Sequence, residues 1–422
     1  MQIALHNPAR KIIFLGTCSL LVAVYLGWAA RQFLAAYFAG RSDAASLQTA
    51  IKLDPGNPEY QYLLGRYYLL EQEPQAAAEF AKSAVALNPH NARYWFDLST
   101  AYLMLGNSDQ QKSALQHAIL ANPASPEVAW EAANLYWVEG DTDDALKEFH
   151  VVLENDPYLP PAALERCWRI KPDVDALLRD VVPRNSDMYS LFLSFLTSRK
   201  ETAAAARVWS QIAQLQQPVE RRIAFDYIRY LLAQQEIAQA RLVWQQAARL
   251  SDLADYQPSP QNLVVNGDFS LPMLNGGFDW LYEKSDDVSL ALDQAESRSG
   301  HQSLSVVFDS RGMEDAGIRQ LIPVEPNAKY EFSAYFKTED LEGAGGPRFV
   351  IQDLFTGTTY CASDELRNAG FWKQIGGTFD TGPDSKMLLL RLQRVPAGNA
   401  IRGKLWIDSI RLTQIRSAGV LQ

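Results

Sequence analysis

The chain has 422 residues, 49 acidic and 39 basic, for a formal net charge of −10 at neutral pH. That length gives room for several domains, and an acidic balance disfavours nucleic acid and anionic lipid as partners. Three cysteines (Cys18, Cys167 and Cys361) with no CxxC pair exclude a disulfide framework by count and a metal site by spacing.

A short tail, 1–11, leads into residues 12–30, IIFLGTCSLLVAVYLGWAA, which carry no charge. Nineteen residues make about 28 Å of helix, enough to span a bilayer core. Arg10 and Lys11 precede the run, Arg31 follows it, and Trp28 and Tyr37 suit the interface. The pattern predicts an uncleaved transmembrane signal anchor. A cleaved signal peptide is the alternative; it fits less well, because the run outlasts a signal core and Trp28 sits badly for cleavage after Ala30. The first 42 residues hold four basic groups and no acid, which leaves −14 for the remainder. The charges flanking the anchor are nearly balanced. A short tail ahead of a signal anchor stays cytoplasmic, so the expectation is a single-pass protein with its bulk in a periplasm-like space.

Beyond the anchor, Pro55, Pro89, Pro123 and Pro157 recur every 34 residues, closing the phrases AIKLDP, AVALNP, AILANP and VVLENDP. Each proline follows an apolar pattern at helical spacing. Gly65, Ala77 and Ala84 are small enough for two helices to approach closely, and Tyr68 and Tyr102 fill the space beside them. Gly106 and Gly140 allow the turn between paired helices. After Pro157 the register breaks at YLPPAALERCWRIKP, and two looser units follow around Trp209 and Trp244. About six units are expected over 31–254, with a polar cap near residue 252. Counting back 34 residues places the first helix of the opening unit at about 24–37, so the anchor helix should run on into the array.

The period and residue placement resemble the tetratricopeptide repeat. The resemblance implies an α-solenoid of helix-turn-helix repeats whose groove is lined from the first helix of each pair. Carried over by register, that places Tyr62, Arg66, Phe96, Thr100, Trp130, Asn134 and Trp137 toward a protein partner. Packing against the next repeat or the C-terminal domain is the competing role for the same residues.

Composition changes near 255. DYQPSPQ (255–261) reads as a linker, and the apolar period then shortens from helix to strand. SLSVVFDS, KYEFSAYFKTED, RFVIQDL, KMLLLRLQRV and KLWIDSIRLTQ alternate apolar and polar residues over 262–414, with a tail at 415–422. They predict an antiparallel β-sandwich, and the whole chain is therefore multidomain α + β. The succession NLVVNGDFS, GGFDW, GHQSLSVVF, FWKQIGGTF and LWIDSIRL is similar to jelly-roll carbohydrate-binding modules of the galactose-binding-like superfamily. That likeness implies a structural calcium framed by Asp268 and Asp408, although Ser270 stands where the family often has Glu. No other cofactor is expected. Aromatic candidates for stacking on a sugar are Tyr282, Tyr335, Phe355, Tyr360 and Trp406, with core or edge packing as the alternative for each. Trp280 and Trp372 read as structural, and Asp353, Arg348 and Arg391 as strand residues able to supply polar contacts.

The chain shows no HExxH, GxSxG, Walker or Rossmann signature. GAGGP (343–347) reads as a hairpin loop, and the acids of GDTDD (140–144) as helix-start residues. A membrane-anchored, non-catalytic scaffold is the function expected, binding a protein through the repeats and a glycan or protein through the sandwich. The alternatives are an accessory component of extracellular polysaccharide assembly or export, or a self-associating surface protein.

Overall fold

The computed structural model describes residues 8–41, 43–312, 314–394 and 398–415, so residues 1–7 and 416–422 of the two predicted tails lie outside the described residues. Most of its helices pack in consecutive pairs. They are α1 (Pro8–Ala39), α2 (Ala44–Leu53), α3 (Pro58–Leu70), α4 (Pro74–Leu87), α5 (Ala92–Met104), α6 (Ser108–Ala121) and α7 (Pro126–Glu139). Then follow α8 (Thr142–Asn155), α9 (Pro160–Ile170), α10 (Val174–Asp180), α11 (Ser186–Ser198), α12 (Thr202–Leu215), α13 (Arg221–Ala233) and α14 (Ile237–Leu250).

The four periodic prolines each sit one residue past a helix C-cap. Asp54, Asn88, Asn122 and Asp156 are those caps, and their backbone N–H groups close the last turn on Ala50, Ala84, Ala118 and Val152. A proline there has no N–H to continue the ladder, so the second helix of each pair stops at a fixed place. Asn57, Asn91 and Ser125 then cap the next helix with a side-chain oxygen. Gly65 explains the closeness of α3 and α4: a Cβ there would stand 3.2 Å from the Ala81 nitrogen. Gly106 and Gly140 turn the chain at φ +70° and +86°.

Where the sequence breaks register, the structure has two short helices, α9, which packs on α8, and α10. Pro160 and Pro161 do not end a helix; they occupy its first turn, where a missing N–H costs nothing. Six packed pairs therefore stand among the described residues, as expected, with α9 and α10 between the fourth and the fifth. Near residue 252, where a polar cap was expected, Asp252 and Asp255 are exposed while Leu250, Leu253 and Tyr256 are buried. α1 is continuous from Pro8 to Ala39, and the stretch from Lys11 to Ala39 is long and apolar enough to cross a membrane. Its last turns also serve the first pair. Ala35 and Ala39 pack with Leu47, Ala50, Tyr60 and Leu64, and Arg31 Nε bonds the Leu53 carbonyl at the end of α2.

The chain divides into two compact units, Met1–Pro183 and Arg184–Gln422. The second holds α11–α14 together with ten strands: β1 (Leu281–Tyr282), β2 (Val288–Asp293), β3 (Ser303–Gly312), β4 (Asp315–Pro323), β5 (Lys329–Gly343), β6 (Pro347–Asp353), β7 (Thr359–Ala362), β8 (Lys373–Asp380), β9 (Met387–Arg394) and β10 (Ala400–Ile415). They form two antiparallel sheets, β1-β4-β9-β6-β7 and β2-β3-β10-β5-β8. Alternation builds the core between them. Leu388, Leu390 and Leu392 of β9 face Phe332, Ala334 and Phe336 of β5 across one buried cluster.

Within residues 255–261 Tyr256 is buried and Gln257 half-buried, while 255 and 258–261 are exposed. Trp244 of α14 donates its indole N–H to the Tyr256 carbonyl at 3.2 Å, and Tyr256 donates its hydroxyl to the Pro272 carbonyl at 2.8 Å. The Trp244 ring meets Phe278 edge-on at 5.8 Å. Gly276 and Gly277 let the 271–280 loop lie directly on the Phe225 and Trp244 rings. Helices and sandwich in this unit therefore share one apolar seam.

Candidate functional site

The first unit holds a cavity of about 820 Å³ between the starts of successive first helices. Tyr62 and Arg66 of α3 and Phe96 of α5 line it, so three of the seven groove residues converge. Arg66 Nη1 donates to the Tyr62 hydroxyl at 3.2 Å. Asp97, beside Phe96, also lines the cavity, and its Oδ2 is buried with no hydrogen-bond partner. Burial pushes its carboxyl up to about 6, against the opposing pull of Arg66 and Arg93. Sequence reading missed Asp97. The available signal was its place next to a groove position, but the setting of this acid depends on residues of the preceding repeat, Arg66 among them.

The remaining groove residues are engaged by the chain itself. Thr100 Oγ1 donates to the Phe96 carbonyl, and Asn134 Nδ2 to the Trp130 carbonyl. The guanidinium of Arg166, from α9, lies 4.9 Å from the Trp130 ring centre and 5.5 Å from that of Trp137. Cation–π contact thus occupies both tryptophans, which are not free anchors.

On the sandwich, the aromatic candidates do not gather on one face. Trp406 is 4% exposed, with Lys337 and Lys404 against its ring and its N–H on Asp293 Oδ2 at 2.9 Å. It offers no stacking platform. Tyr335 is covered by the Arg298 guanidinium 3.5 Å from its ring centre. Tyr360 stacks on Phe379 and bonds Ser385 and the Gly382 amide. Tyr282 lines a cleft of about 600 Å³ with Glu283, Lys284 and Asp309, and Phe355 is exposed in the turn after β6. Phe371, which sequence reading passed over, is 90% exposed. Trp280 is buried and bonds the Asn266 carbonyl, and Trp372 is partly exposed. Asp353 is buried, accepting from the Phe355 and Thr356 amides and the Ser385 hydroxyl.

Polar groups do gather, on the outer side of the β1-β4-β9-β6-β7 sheet. Leu388, Leu390 and Leu392 point into the core, so Leu389, Arg391 and Gln393 point away from it. Register then sets three rows across β4, β9 and β6: Asp315–Gln393–Arg348, Arg319–Arg391–Val350 and Leu321–Leu389–Gln352. Arg391 sits at the centre, bonded to Asp315 at 3.4 Å and Gln352 at 3.2 Å. Arg319 pairs with Glu283 at 2.6 Å, and Arg348 with Glu365 at 3.1 Å. Such planar, charge-assisted donors and acceptors suit hydroxyl-rich ligands.

Residues 31–92 and 68–129 each match the family model for the tetratricopeptide repeat, and residues 261–398 match that for a carbohydrate binding domain. The chain joins tetratricopeptide repeats to a carbohydrate-binding-type domain. Among solved structures, MamA is 21% identical, over 40% of this chain and 85% of its own, with a TM-score of 0.25. A CBM4 structure is 15% identical over 36% and 99%, with a TM-score of 0.28. The CBM22-1 xylan-binding domain of Xyn10C from Paenibacillus barcinonensis is 19% identical over 36% and 94%, with a TM-score of 0.27. No curated protein matches the chain.

The carbohydrate-binding-type domain raises the question of calcium, and its donors do not fit one. Asp408 is sealed from solvent. Its Oδ2 accepts the Arg298 and Ser299 amides at 2.7 and 2.8 Å, and its Oδ1 the Ser409 hydroxyl at 3.2 Å. Asp268 Oδ1 accepts from Ser270 of its own turn, and the Phe269 carbonyl from the Gln302 amide at 2.6 Å. Arg298 Nη1 reaches Ser409 Oγ at 3.4 Å. Hydrogen-bond donors surround these oxygens, and the guanidinium supplies a fixed positive charge in the same corner. Among the described residues no group of three His, Cys, Asp or Glu could hold a metal.

The GAGGP loop joins β5 to β6, which lie in different sheets, so it is a crossover between sheets and not the hairpin expected. Buried Arg394 binds the Ala344, Gly345 and Asn399 carbonyls, so the loop turns acceptors toward a cation, the reverse of a phosphate cradle. The cysteines are free; burial pushes the Cys167 thiol up to about 12.

Proposed function

We propose that the chain is a membrane-anchored, non-catalytic scaffold that holds a protein through its repeats and a glycan through its sandwich. One coincidence carries the reading. The cavity at 62–128 falls inside the matched repeats, and the polar rows at 315–393 fall inside the matched carbohydrate binding domain. The glycan lies on the outer sheet face around Arg391, where hydrogen bonding replaces the aromatic platform that Trp406 and Tyr335 do not offer. Tyr282 and exposed Phe355 remain as flanking contacts. α1 crosses the membrane with its N-terminus cytoplasmic, and because the same helix packs on α2, the first repeat is mounted on the span itself. Glycan-panel binding tests one half and affinity capture from native membranes the other. A protein partner lost on Phe96→Ala supports the repeat assignment; a partner retained by a chain lacking 43–183 contradicts it.

A further inference from the structure

The paired helices of the first unit end in turns at two edges, and α1 sets the height of one of them. α2 runs back along α1, with Leu47 and Ala50 packed on Ala35 and Ala39, and Arg31 donates to the Leu53 carbonyl where α2 ends. The turn at 54–57 that follows therefore stands level with the close of the uncharged run 12–30, at the height of Trp28. Trp28 suits the membrane–water interface. One repeat on, α3 and α4 retrace the same path, and the turn at 88–91 returns to the same edge.

Charge separates this edge from the opposite one. Three windows spaced 34 residues apart, 53–58, 87–92 and 121–126, hold one acid, Asp54, and no Lys or Arg. The matching windows of the opposite edge, 70–75, 104–109 and 138–143, hold six acids and no Lys or Arg. All six (Glu71, Glu73, Asp109, Glu139, Asp141 and Asp143) are exposed. Exposed apolar residues stand at both edges, Leu87 and Leu120 at the first and Leu70, Met104 and Val138 at the second, so they do not choose between them. Carboxylates do: each costs free energy on leaving bulk water, whereas proline, asparagine and leucine enter a headgroup layer readily.

We propose that the first edge lies on the bilayer that α1 crosses, with the turns at 53–58 and 87–92 in the headgroup region and Leu87 at the acyl boundary. The inference rests on the reading of α1 as a membrane span. It adds that the repeats rest against the lipid surface, their acidic edge turned to solvent. Lipid is the occupant because this edge continues from the span and is nearly uncharged. Asn88, His90 and Ala124 of these turns also line the cavity of the first unit, so whatever the cavity holds is met beside the membrane.

The test uses the full chain with its native cysteines replaced (Cys18→Ser, Cys167→Ala and Cys361→Ser), reconstituted into phosphatidylcholine vesicles that carry a nitroxide on the headgroup. A nitrobenzoxadiazole dye is attached at His90→Cys on the proposed edge or at Gln75→Cys on the acidic one; both positions are exposed. Nitroxide quenching at residue 90 is expected to be at least threefold stronger than at residue 75. Leu87→Cys repeats the measurement should the first variant fold poorly. Quenching no stronger at 90 and 87 than at 75 overturns the proposal. Carbonate extraction separates this from the reading it rests on. A chain that stays in the vesicles with residue 90 unquenched keeps α1 as the anchor and loses the docked edge; a chain washed out of the vesicles loses both.

Discussion

Asp279 lies buried just before β1, its Oδ2 accepting the Leu274 amide at 2.7 Å and its Oδ1 without a partner. Burial raises its carboxyl from 3.8 to about 7. A carboxyl raised in the folded state favours folding in its protonated form, so its contribution is whole below about pH 4 and lost as pH climbs through 7. Three pH units correspond to about 4 kcal/mol. Asp279→Asn should flatten the unfolding free energy of the second unit between pH 4 and 7 and raise its Tm at pH 8; an unchanged slope would place the titration elsewhere. Arg298 and Asp408 yield a second expectation. Because amides and a guanidinium surround these oxygens, a chelator should leave Tm unchanged and added calcium should not raise it. A calcium-dependent rise of several degrees would contradict the hydrogen-bonded corner.

At the level of elements, the seam between α13, α14 and the sandwich is a fold determinant. Gly277 has φ +61°, and a Cβ there would sit 2.1 Å from the Trp244 ring. Gly277→Ala combines left-handed strain with overpacking, so a loss of about 3 kcal/mol is expected in denaturant unfolding of residues 184–422; a loss near zero would show that the loop is free of the ring. The sequence made the helical pairs legible because their causes are local: a proline past each C-cap, Gly106 and Gly140 at positive φ, small residues at Gly65 and Ala77. Other features depended on distant partners. The prolines of α9 read as a break because a helix start and a helix stop share that residue type. Arg166 covering Trp130 joins positions 36 apart, and the rows around Arg391 depend on a strand register that alternation alone does not set. Trp406 looked like a platform because its β10 position faces outward; only the fold brings Lys337 against its ring.

For the whole molecule, one continuous α1, proposed to span the membrane, runs on into the first repeat. Removing residues 1–30 should release the chain from the membrane fraction, and retention there would point to a different anchor. The central claim is that repeats and sandwich are two binding devices on one mounted chain. The most direct measurement is binding of the full chain to a glycan panel beside Arg391→Ala. The account predicts a defined set of glycans bound, with affinity falling at least tenfold in the variant while the folded spectrum and Tm hold. No glycan bound, or equal binding by the variant, would contradict it.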